Sequence, residues 1–231
     1  SITETLLNTT ANPVDVIYVI TMTANGCSNT QNVTVTVYPT PVLTSSLTGI
    51  RCSNVSTTYT ATSATAGTTF SWSRAAVTGI SNVAAGTTGA TITETLINTT
   101  TAPVNVVYVI TLTANGCSNT QNVTVTVNPT PVLSSVLTST RCSGVSTTYT
   151  ATTLTASPSF SWSRAAVAGI SNAAAGTTGA SITETLINTT ADPVDVIYVI
   201  TITANGCSNT QNVTVTVKPS PTLTSSLTGI R

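Results

Sequence analysis

The sequence has no histidine and very little charge: Asp, Glu, Lys and Arg make up 5% of its 231 residues, against about 25% in an average domain. Without histidine, the many Ser and Thr hydroxyls have no ordinary base to activate them as nucleophiles. The one acid that recurs along the chain, as Glu4, Glu94 and Glu184, does not provide a carboxylate pair within a domain. We therefore expect no enzymatic activity, no catalytic residue and no cofactor.

Carboxylates are also too scarce for a metal site that could serve the whole chain. Calcium requires several carboxylate oxygens. Asp192 and Asp195 are the best candidates, but an equivalent stretch of the chain has Ala102 and Asn105 instead. A site that stiffened every joint of the chain would keep its ligands, so we expect no bound metal.

Two further kinds of partner are disfavoured by composition. The net charge is zero and there is no basic stripe to neutralise phosphates, so we expect no nucleic acid. The longest apolar run, Val106–Ile110, is far too short to span a bilayer, so we expect no membrane span in this segment. Aromatic residues make up only 4% of the chain, which also disfavours a glycan site on its Thr-rich strand faces.

The chain does contain an internal repeat of 90 residues. The stretch ANGCSNTQNVTVTV occurs without change at 24–37, 114–127 and 204–217, and a Pro-x-Pro linker follows each copy. Proline ends strand pairing and gives a stiff connector, so the domain boundaries belong at these linkers. We expect an incomplete repeat at 1–38, complete repeats at 39–128 and 129–218, and the first strand of a further repeat at 219–231. We interpret the chain as an excerpt from a longer array.

The repeated stretch predicts a β-hairpin, because Asn-Gly favours a two-residue type I′ turn between alternating β-formers. With Asn115 and Gly116 at its centre, apolar side chains meet on one face of the hairpin: Tyr108 with Val123, Val106 with Val125 and Val104 with Val127. Val107 and Val109 lie on the other face, where they either meet a neighbouring element or leave an apolar stripe.

Short alternating segments without helical periodicity predict an all-β sandwich of seven or so strands per repeat. In 39–128 we expect strands near Val42–Leu47 (before a corner at Arg51-Cys52-Ser53) and at Thr57–Thr62, Phe70–Arg74, Ile92–Ile97, Val104–Thr113 and Gln121–Val127, with short or irregular pairing in Val77–Gly89. The predicted core consists of Tyr59, Phe70, Trp72, Ile92, Leu96, Val104, Val106, Tyr108, Ile110, Val123, Val125 and Val127.

Three charges recur in each complete repeat, as Arg51, Arg74 and Glu94 in the first. In a chain with so few charges, an arginine and the glutamate on neighbouring strands can pair. The alternative is that each side chain lies in solvent, where an ion pair contributes roughly 0–1 kcal/mol.

Five segments together resemble the PKD-like, immunoglobulin-like repeats of very large Bacteroidota surface proteins: the Cys-Ser-x-x-Ser opening strand, FSWSRAAV, ITETLINTT, the YVITLTANGCSNTQNVTVTV hairpin and the Pro-Thr-Pro linker. This resemblance implies tandem sandwiches in a linear array, exported (often by type IX secretion) as a fibre, adhesin stalk or spacer. The acidic Gly-Asp-Gly loop of other PKD domains is missing here.

The five cysteines recur with the repeat and favour disulfides, hence an extracellular, cell-surface or secreted setting. Three periodic patterns are open, Cys27–Cys52, Cys52–Cys117 and Cys52–Cys207, and free thiols are a further alternative. In an immunoglobulin-like sandwich, Cys52 and Cys117 lie a strand length apart, beyond the roughly 7 Å that a disulfide allows between Cα atoms. Head-to-tail stacking instead brings Cys52 towards Cys207, so we favour this inter-domain pair, with Cys27, Cys117 and Cys142 pairing outside the excerpt.

These observations favour a structural role: a stiff extracellular rod whose partners are neighbouring repeats of the same chain. Zero net charge and almost no lysine leave strand edges unprotected, so lateral self-association into filaments or bundles is expected as well. The alternatives are a multivalent module that binds a glycan or a partner surface, and spacer domains of a secreted hydrolase.

Overall fold

The computed structural model describes residues 1–222, which contain sixteen β-strands. Within this range no helix is long and apolar enough to cross a membrane. Most of the predicted strand at 219–231 falls outside the described residues. The strands are β1 (Val14–Ala24), β2 (Cys27–Val37), β3 (Thr48–Cys52), β4 (Ser56–Thr60), β5 (Thr69–Arg74), β6 (Ala85–Thr88), β7 (Thr91–Thr95), β8 (Val104–Ala114), β9 (Cys117–Asn128), β10 (Thr138–Cys142), β11 (Ser146–Thr150), β12 (Ser159–Arg164), β13 (Ala175–Thr178), β14 (Ser181–Thr185), β15 (Val194–Ala204) and β16 (Cys207–Lys218).

The first complete sandwich holds the seven strands β3–β9. One sheet has five strands in the order β3-β9-β8-β5-β6, and the other pairs β4 with β7. The second complete sandwich repeats this arrangement, with the order β10-β16-β15-β12-β13 beside the pair β11-β14. The chain is therefore an all-β protein with two tandem sandwiches, as the alternation of its side chains predicts. Contacts divide it into two compact units, one containing β1–β9 and the other β10–β16.

The hairpin register follows from its turn. Asn115 and Gly116 have φ of 50° and 79°, the left-handed conformation that a type I′ turn requires. Val123 lies opposite Tyr108, Val125 opposite Val106 and Val127 opposite Val104, which confirms the predicted pairing. The incomplete first copy forms the same hairpin, β1 with β2, from Val14 opposite Val37 to Ala24 opposite Cys27.

The core lies between the two sheets of each sandwich. Eight of the twelve predicted core residues are buried in the first sandwich, and the other four, Tyr59, Phe70, Trp72 and Val104, are partly buried against them. Ala61, Ile80 and Leu112 belong to the same core and were not predicted. Val107 and Val109 are 39% and 38% exposed, so they leave an apolar stripe on the outer face of β8.

The predicted first strand is wrong in its position. In residues 42–47, Leu43 forms only an isolated bridge to Ser63, whereas Thr48–Cys52 form β3 beside β9. Arg51 and Cys52 therefore lie in a strand and not in a corner. The chain crosses here from the edge of one sheet to the other, since Thr44 N–H donates to the Thr62 carbonyl and Thr124 N–H donates to the Leu47 carbonyl.

Candidate functional sites: the cysteines and a buried ion pair

The cysteines occupy two positions in the fold. Cys52 and Cys142 are the last residues of β3 and β10, whereas Cys27, Cys117 and Cys207 begin β2, β9 and β16, directly after the Asn-Gly turn. Cys52 and Cys207 are disulfide-bonded. Cys27, Cys117 and Cys142 carry free thiols, so neither Cys27–Cys52 nor Cys52–Cys117 is formed.

The strand register explains why the two cysteines of one sandwich do not pair. In the second sandwich β10 runs parallel to β16, and Cys142 lies beside Lys218. Lys218 is the last of the 12 residues of β16 and Cys207 is the first. A strand of this length spans roughly 35–40 Å, whereas a disulfide needs Cα atoms within about 7 Å. Each sandwich therefore presents one cysteine at each of its two ends.

A buried cluster of polar side chains connects the two sheets of each sandwich. In the first, Arg74 on β5 contacts Glu94 on β7 through two hydrogen bonds, Nε to Oε2 at 3.0 Å and Nη2 to Oε1 at 2.8 Å. The Tyr108 hydroxyl on β8 donates to Oε2 at 2.6 Å. Arg51 on β3 donates from Nη1 to the backbone carbonyl oxygen of Glu94, at 3.3 Å. The alternative in which these charges lie in solvent is therefore wrong.

The cluster is almost fully enclosed. The side chains of Arg74 and Glu94 are 1% and 14% exposed. Two further N–H groups of Arg74 donate to the carbonyl oxygens of Ala75, at 3.1 Å, and Val83, at 2.7 Å. The second sandwich repeats the arrangement with Arg164, Glu184 and Tyr198. In the incomplete first copy, the Tyr18 hydroxyl donates to the Glu4 carboxylate.

Electrostatics hold this carboxylate ionised. Burial alone would raise the pKa of Glu94, but hydrogen bonds from Arg74 and Tyr108 outweigh it and keep the pKa below the usual value. The hydrogen bond to Glu94 raises the pKa of Arg74. Burial and the bond to Glu94 together raise the pKa of Tyr108. The carboxylate oxygens already accept three hydrogen bonds from their own domain, so the arrangement anchors one sheet to the other.

Two polar residues in the repeated hairpin hold the linker, and sequence reasoning did not identify them. Asn119 Nδ2 donates to the Pro41 carbonyl oxygen at 3.0 Å, and Gln121 Oε1 accepts from the Leu43 N–H. The second sandwich has the same two bonds, from Asn209 to Pro131 and from Leu133 to Gln211. The signal was present in the sequence, because Gln121 occupies the inward-facing series of Val123, Val125 and Val127.

Of the two aspartates considered as metal ligands, Asp195 has another partner for its carboxylate, and Asp192 is bonded through its backbone. Asp195 Oδ1 accepts a hydrogen bond from Thr216 Oγ1 at 2.6 Å, across the β15–β16 pair. Asp192 contributes its backbone carbonyl to Asn188 Nδ2, at 2.8 Å. In the part of the chain that the structure describes, no group of three or more His, Cys, Asp and Glu residues is placed to hold a metal ion.

Comparison with solved structures finds immunoglobulin-domain proteins at low similarity. The I67–I69 fragment of titin is 10% identical, with a TM-score of 0.39, over 92% of this chain and 89% of that one. Extracellular domains 3–5 of Drosophila OTK are 11% identical, with a TM-score of 0.38, over 84% of this chain and 70% of that one. The DIP-gamma IG1+IG2 pair is 10% identical, with a TM-score of 0.37, over 78% of this chain and 98% of that one.

A search of curated proteins finds no match. A family assignment comes instead from two matches to the PKD-like domain, over residues 50–131 and 139–221. Together these matches take in most of the chain and fall on the two complete sandwiches described above. The chain therefore belongs to the PKD-like domain family.

Proposed function

We propose that this chain is a structural repeat segment of an extracellular fibre or adhesin stalk. Its sandwiches stack head to tail into a stiff rod, and a disulfide between Cys52 and Cys207 joins successive repeats. The rod needs no catalytic residue and no cofactor, and its partners are the neighbouring repeats.

The observation that carries this proposal is the pattern of cysteine states. Cys52 and Cys207 are disulfide-bonded and the other three cysteines are free. Cys52 belongs to the first complete sandwich and Cys207 to the second, and they occupy opposite ends of the fold: the end of β3 and the beginning of β16. A bond between these two positions is the one that head-to-tail stacking would allow.

The linkers support a stiff joint. Pro39 and Pro41 are buried, as are Pro129 and Pro131, so neither Pro-x-Pro segment is a free tether. Within the first compact unit, residues 7–11 of the incomplete copy and Thr40, Val42, Ala64 and Thr65 of the first sandwich line one surface cavity. Each linker is also hydrogen-bonded to the sandwich that follows it, which shortens the free connector between repeats.

Disulfides also support an extracellular location, because they persist in oxidising compartments. Forming the bond removes two electrons and two protons from the thiols, which a thiol–disulfide oxidoreductase outside the cytoplasm would accept. The likeness of the repeats to Bacteroidota surface proteins favours type IX secretion as the export route, and this route is part of the proposal.

Lateral association of rods is a second part of the proposal. The edge strands β6 and β7 have the sequences AGTT and TITET, with no lysine to block pairing with another edge. We expect sedimentation in ordinary buffer to show association that grows with protein concentration. A single monodisperse species at high concentration would contradict it.

Small-angle scattering tests the rod. The full chain should fit one rigid particle to which each repeat adds about 35–40 Å, the length of its longest strands. Cys52→Ser/Cys207→Ser should bend at the joint and fit an ensemble of conformations. Cys117→Ser/Cys142→Ser removes the same number of sulfur atoms without removing the bond, and should scatter like the parent. Scattering from the parent chain that fits flexibly linked domains would refute the rod. A Cys52→Ser/Cys207→Ser variant as rigid as the parent would refute the role of the disulfide in stiffening the joint.

A further inference from the structure

A disulfide between Cys52 and Cys207 would change the covalent path along which the chain transmits tension, and this inference rests on the proposed function. The bond closes a loop that contains residues 53–206. A pulling force applied at the two ends would then run through residues 1–52, cross the sulfur bridge and continue through residues 207–231. We propose that the disulfide takes most of both sandwiches out of the line of tension and makes the fibre nearly inextensible.

The loop encloses almost everything that a pulling force would otherwise unfold. It contains β4 to β15, and with them the Arg74–Glu94 and Arg164–Glu184 ion pairs. Most of the buried core residues of both sandwiches also lie inside it, including Leu96, Val106 and Leu112. Stretching the chain cannot add the length of these residues while the disulfide is intact.

Within the two complete sandwiches, the segments that remain in the line of tension can lengthen only slightly. On the far side of the bond it is β16, which is extended over 12 residues. On the near side it is β3 and the Pro-x-Pro linker before it. The β1–β2 hairpin of the incomplete copy is also in line, and it can open because Val14 and Val37 at its two ends lie opposite each other. A strand rises about 3.2–3.4 Å per residue, and a fully extended chain reaches only about 3.3–3.6 Å, so a strand pulled from end to end lengthens by roughly a tenth at most.

The strands in the line of tension are also well supported by their neighbours. β16 pairs with β15 along its full length, from Cys207 opposite Ala204 to Val217 opposite Val194. On its other side it pairs with β10, from Thr214 to Lys218. The force enters β16 at Cys207 and leaves it at Lys218, so it acts along the strand. It does not pull β16 away from β15 or β10.

Because the cysteines recur with the repeat, the same disulfide pattern can continue along an array of repeats. Cys142 occupies the position of Cys52 one repeat later, and Cys117 occupies the position of Cys207 one repeat earlier. If each such cysteine paired in the same pattern with further repeats, two interleaved covalent lines would run along the fibre. The free thiols of Cys117 and Cys142 are the positions that this pattern would use.

Force spectroscopy on single molecules of the full chain tests the proposal. Cys27→Ser/Cys117→Ser/Cys142→Ser provides a chain with only the proposed disulfide, and handles are attached at the two ends by a reaction that does not use thiols. With the bond intact, about 77 residues stay in line and extension should stop at roughly 270 Å. After reduction with dithiothreitol, extension should reach roughly 810 Å, with two unfolding steps of roughly 280 Å each. Cys52→Ser/Cys207→Ser should behave like the reduced chain without reductant.

The outcomes separate this inference from the proposed function. The oxidised preparation is first digested without reductant, and a peptide that contains Cys52 linked to Cys207 shows the bond. Unfolding steps of roughly 280 Å in a preparation with that bond would show that the sandwiches still bear the tension. This result would overturn the present inference and leave the disulfide-joined rod in place. Absence of the linked peptide would instead overturn the proposed Cys52–Cys207 disulfide, and the inference with it.

Discussion

Replacing Glu94 by Gln should destabilise the first sandwich strongly. Three donors converge on the two carboxylate oxygens: Arg74 Nε, Arg74 Nη2 and the Tyr108 hydroxyl. Glutamine keeps one acceptor oxygen and replaces the other by an NH₂ group. At least one of the three donors would then face another donor.

The size of the effect follows from burial. Arg74 is only 2% exposed, so loss of the glutamate charge leaves an uncompensated guanidinium in the interior. Removing one partner of a buried ion pair costs about 3–5 kcal/mol. This loss is roughly a hundredfold or more in the equilibrium for opening of the sandwich.

Hydrogen exchange measured by mass spectrometry provides an internal control. The second sandwich keeps its own pair, Arg164 with Glu184, in the same molecule. Peptides from β8 and β15 differ in sequence, with Val107 and Leu112 in one where the other has Ile197 and Ile202, so the two sandwiches are read separately. Exchange in β8 should accelerate by roughly a hundredfold or more, and exchange in β15 should change little.

A matched variant distinguishes an unpaired charge from a lost attraction. Arg74→Met/Glu94→Leu removes both charges and keeps apolar volume, so it should cost less than Glu94→Gln alone. A cost of about 1 kcal/mol or less for Glu94→Gln would place the pair among exposed ion pairs and refute the reasoning.

Three further predictions concern pH, the linker and the turn. Because the pKa of Glu94 is lowered on folding and that of Tyr108 is raised, urea unfolding should show a plateau of stability. Stability should fall as the pH drops below about 4.5 through the folded-state pKa of Glu94, and should fall again as the pH rises above about 10; an unchanged free energy of unfolding at both extremes would contradict this. Gln121→Ala should lower the free energy of unfolding by about 1 kcal/mol and speed hydrogen exchange at the Leu43 amide, because it removes the acceptor of that amide's hydrogen bond. Unchanged exchange at the Leu43 amide would rule out this contact. Gly116→Ala should lower the free energy of unfolding by about 1 kcal/mol or more, since φ there is 79°, and an alanine variant as stable as the parent would argue against the turn.

The parts of the fold that were predictable are those specified by local sequence. Asn115-Gly116 defines the turn, and the alternation on either side of it has only one register that places valines opposite Tyr108 and Val106. The cores of both sandwiches follow from the same alternation. The opposite placement of Cys52 and Cys117 also follows, once the strands are ordered as an immunoglobulin-like sandwich.

The parts that were not predictable depend on the packing of one sheet against the other. Leu43 pairs towards β4 and Thr48–Cys52 pair with β9, and no local pattern marks the point at which the chain crosses between the sheets. Arg74 and Glu94 are 20 residues apart on strands of different sheets, so sequence left pairing and solvation as equal alternatives. The bonds of Asn119 and Gln121 to the linker span 78 residues and likewise need the folded domain.

Peptide mapping without reductant is the most direct test of the proposed joint between repeats. Trypsin cleaves after arginine but not before proline, so it should leave five peptides with one cysteine each: 1–51, 52–74, 75–141, 142–164 and 165–231. Digestion of the unfolded chain, with free thiols blocked by an alkylating agent, should yield 52–74 joined to 165–231, with the other three peptides alkylated. A product that joins 52–74 to 75–141, or complete alkylation of all five cysteines, would contradict the stapled rod.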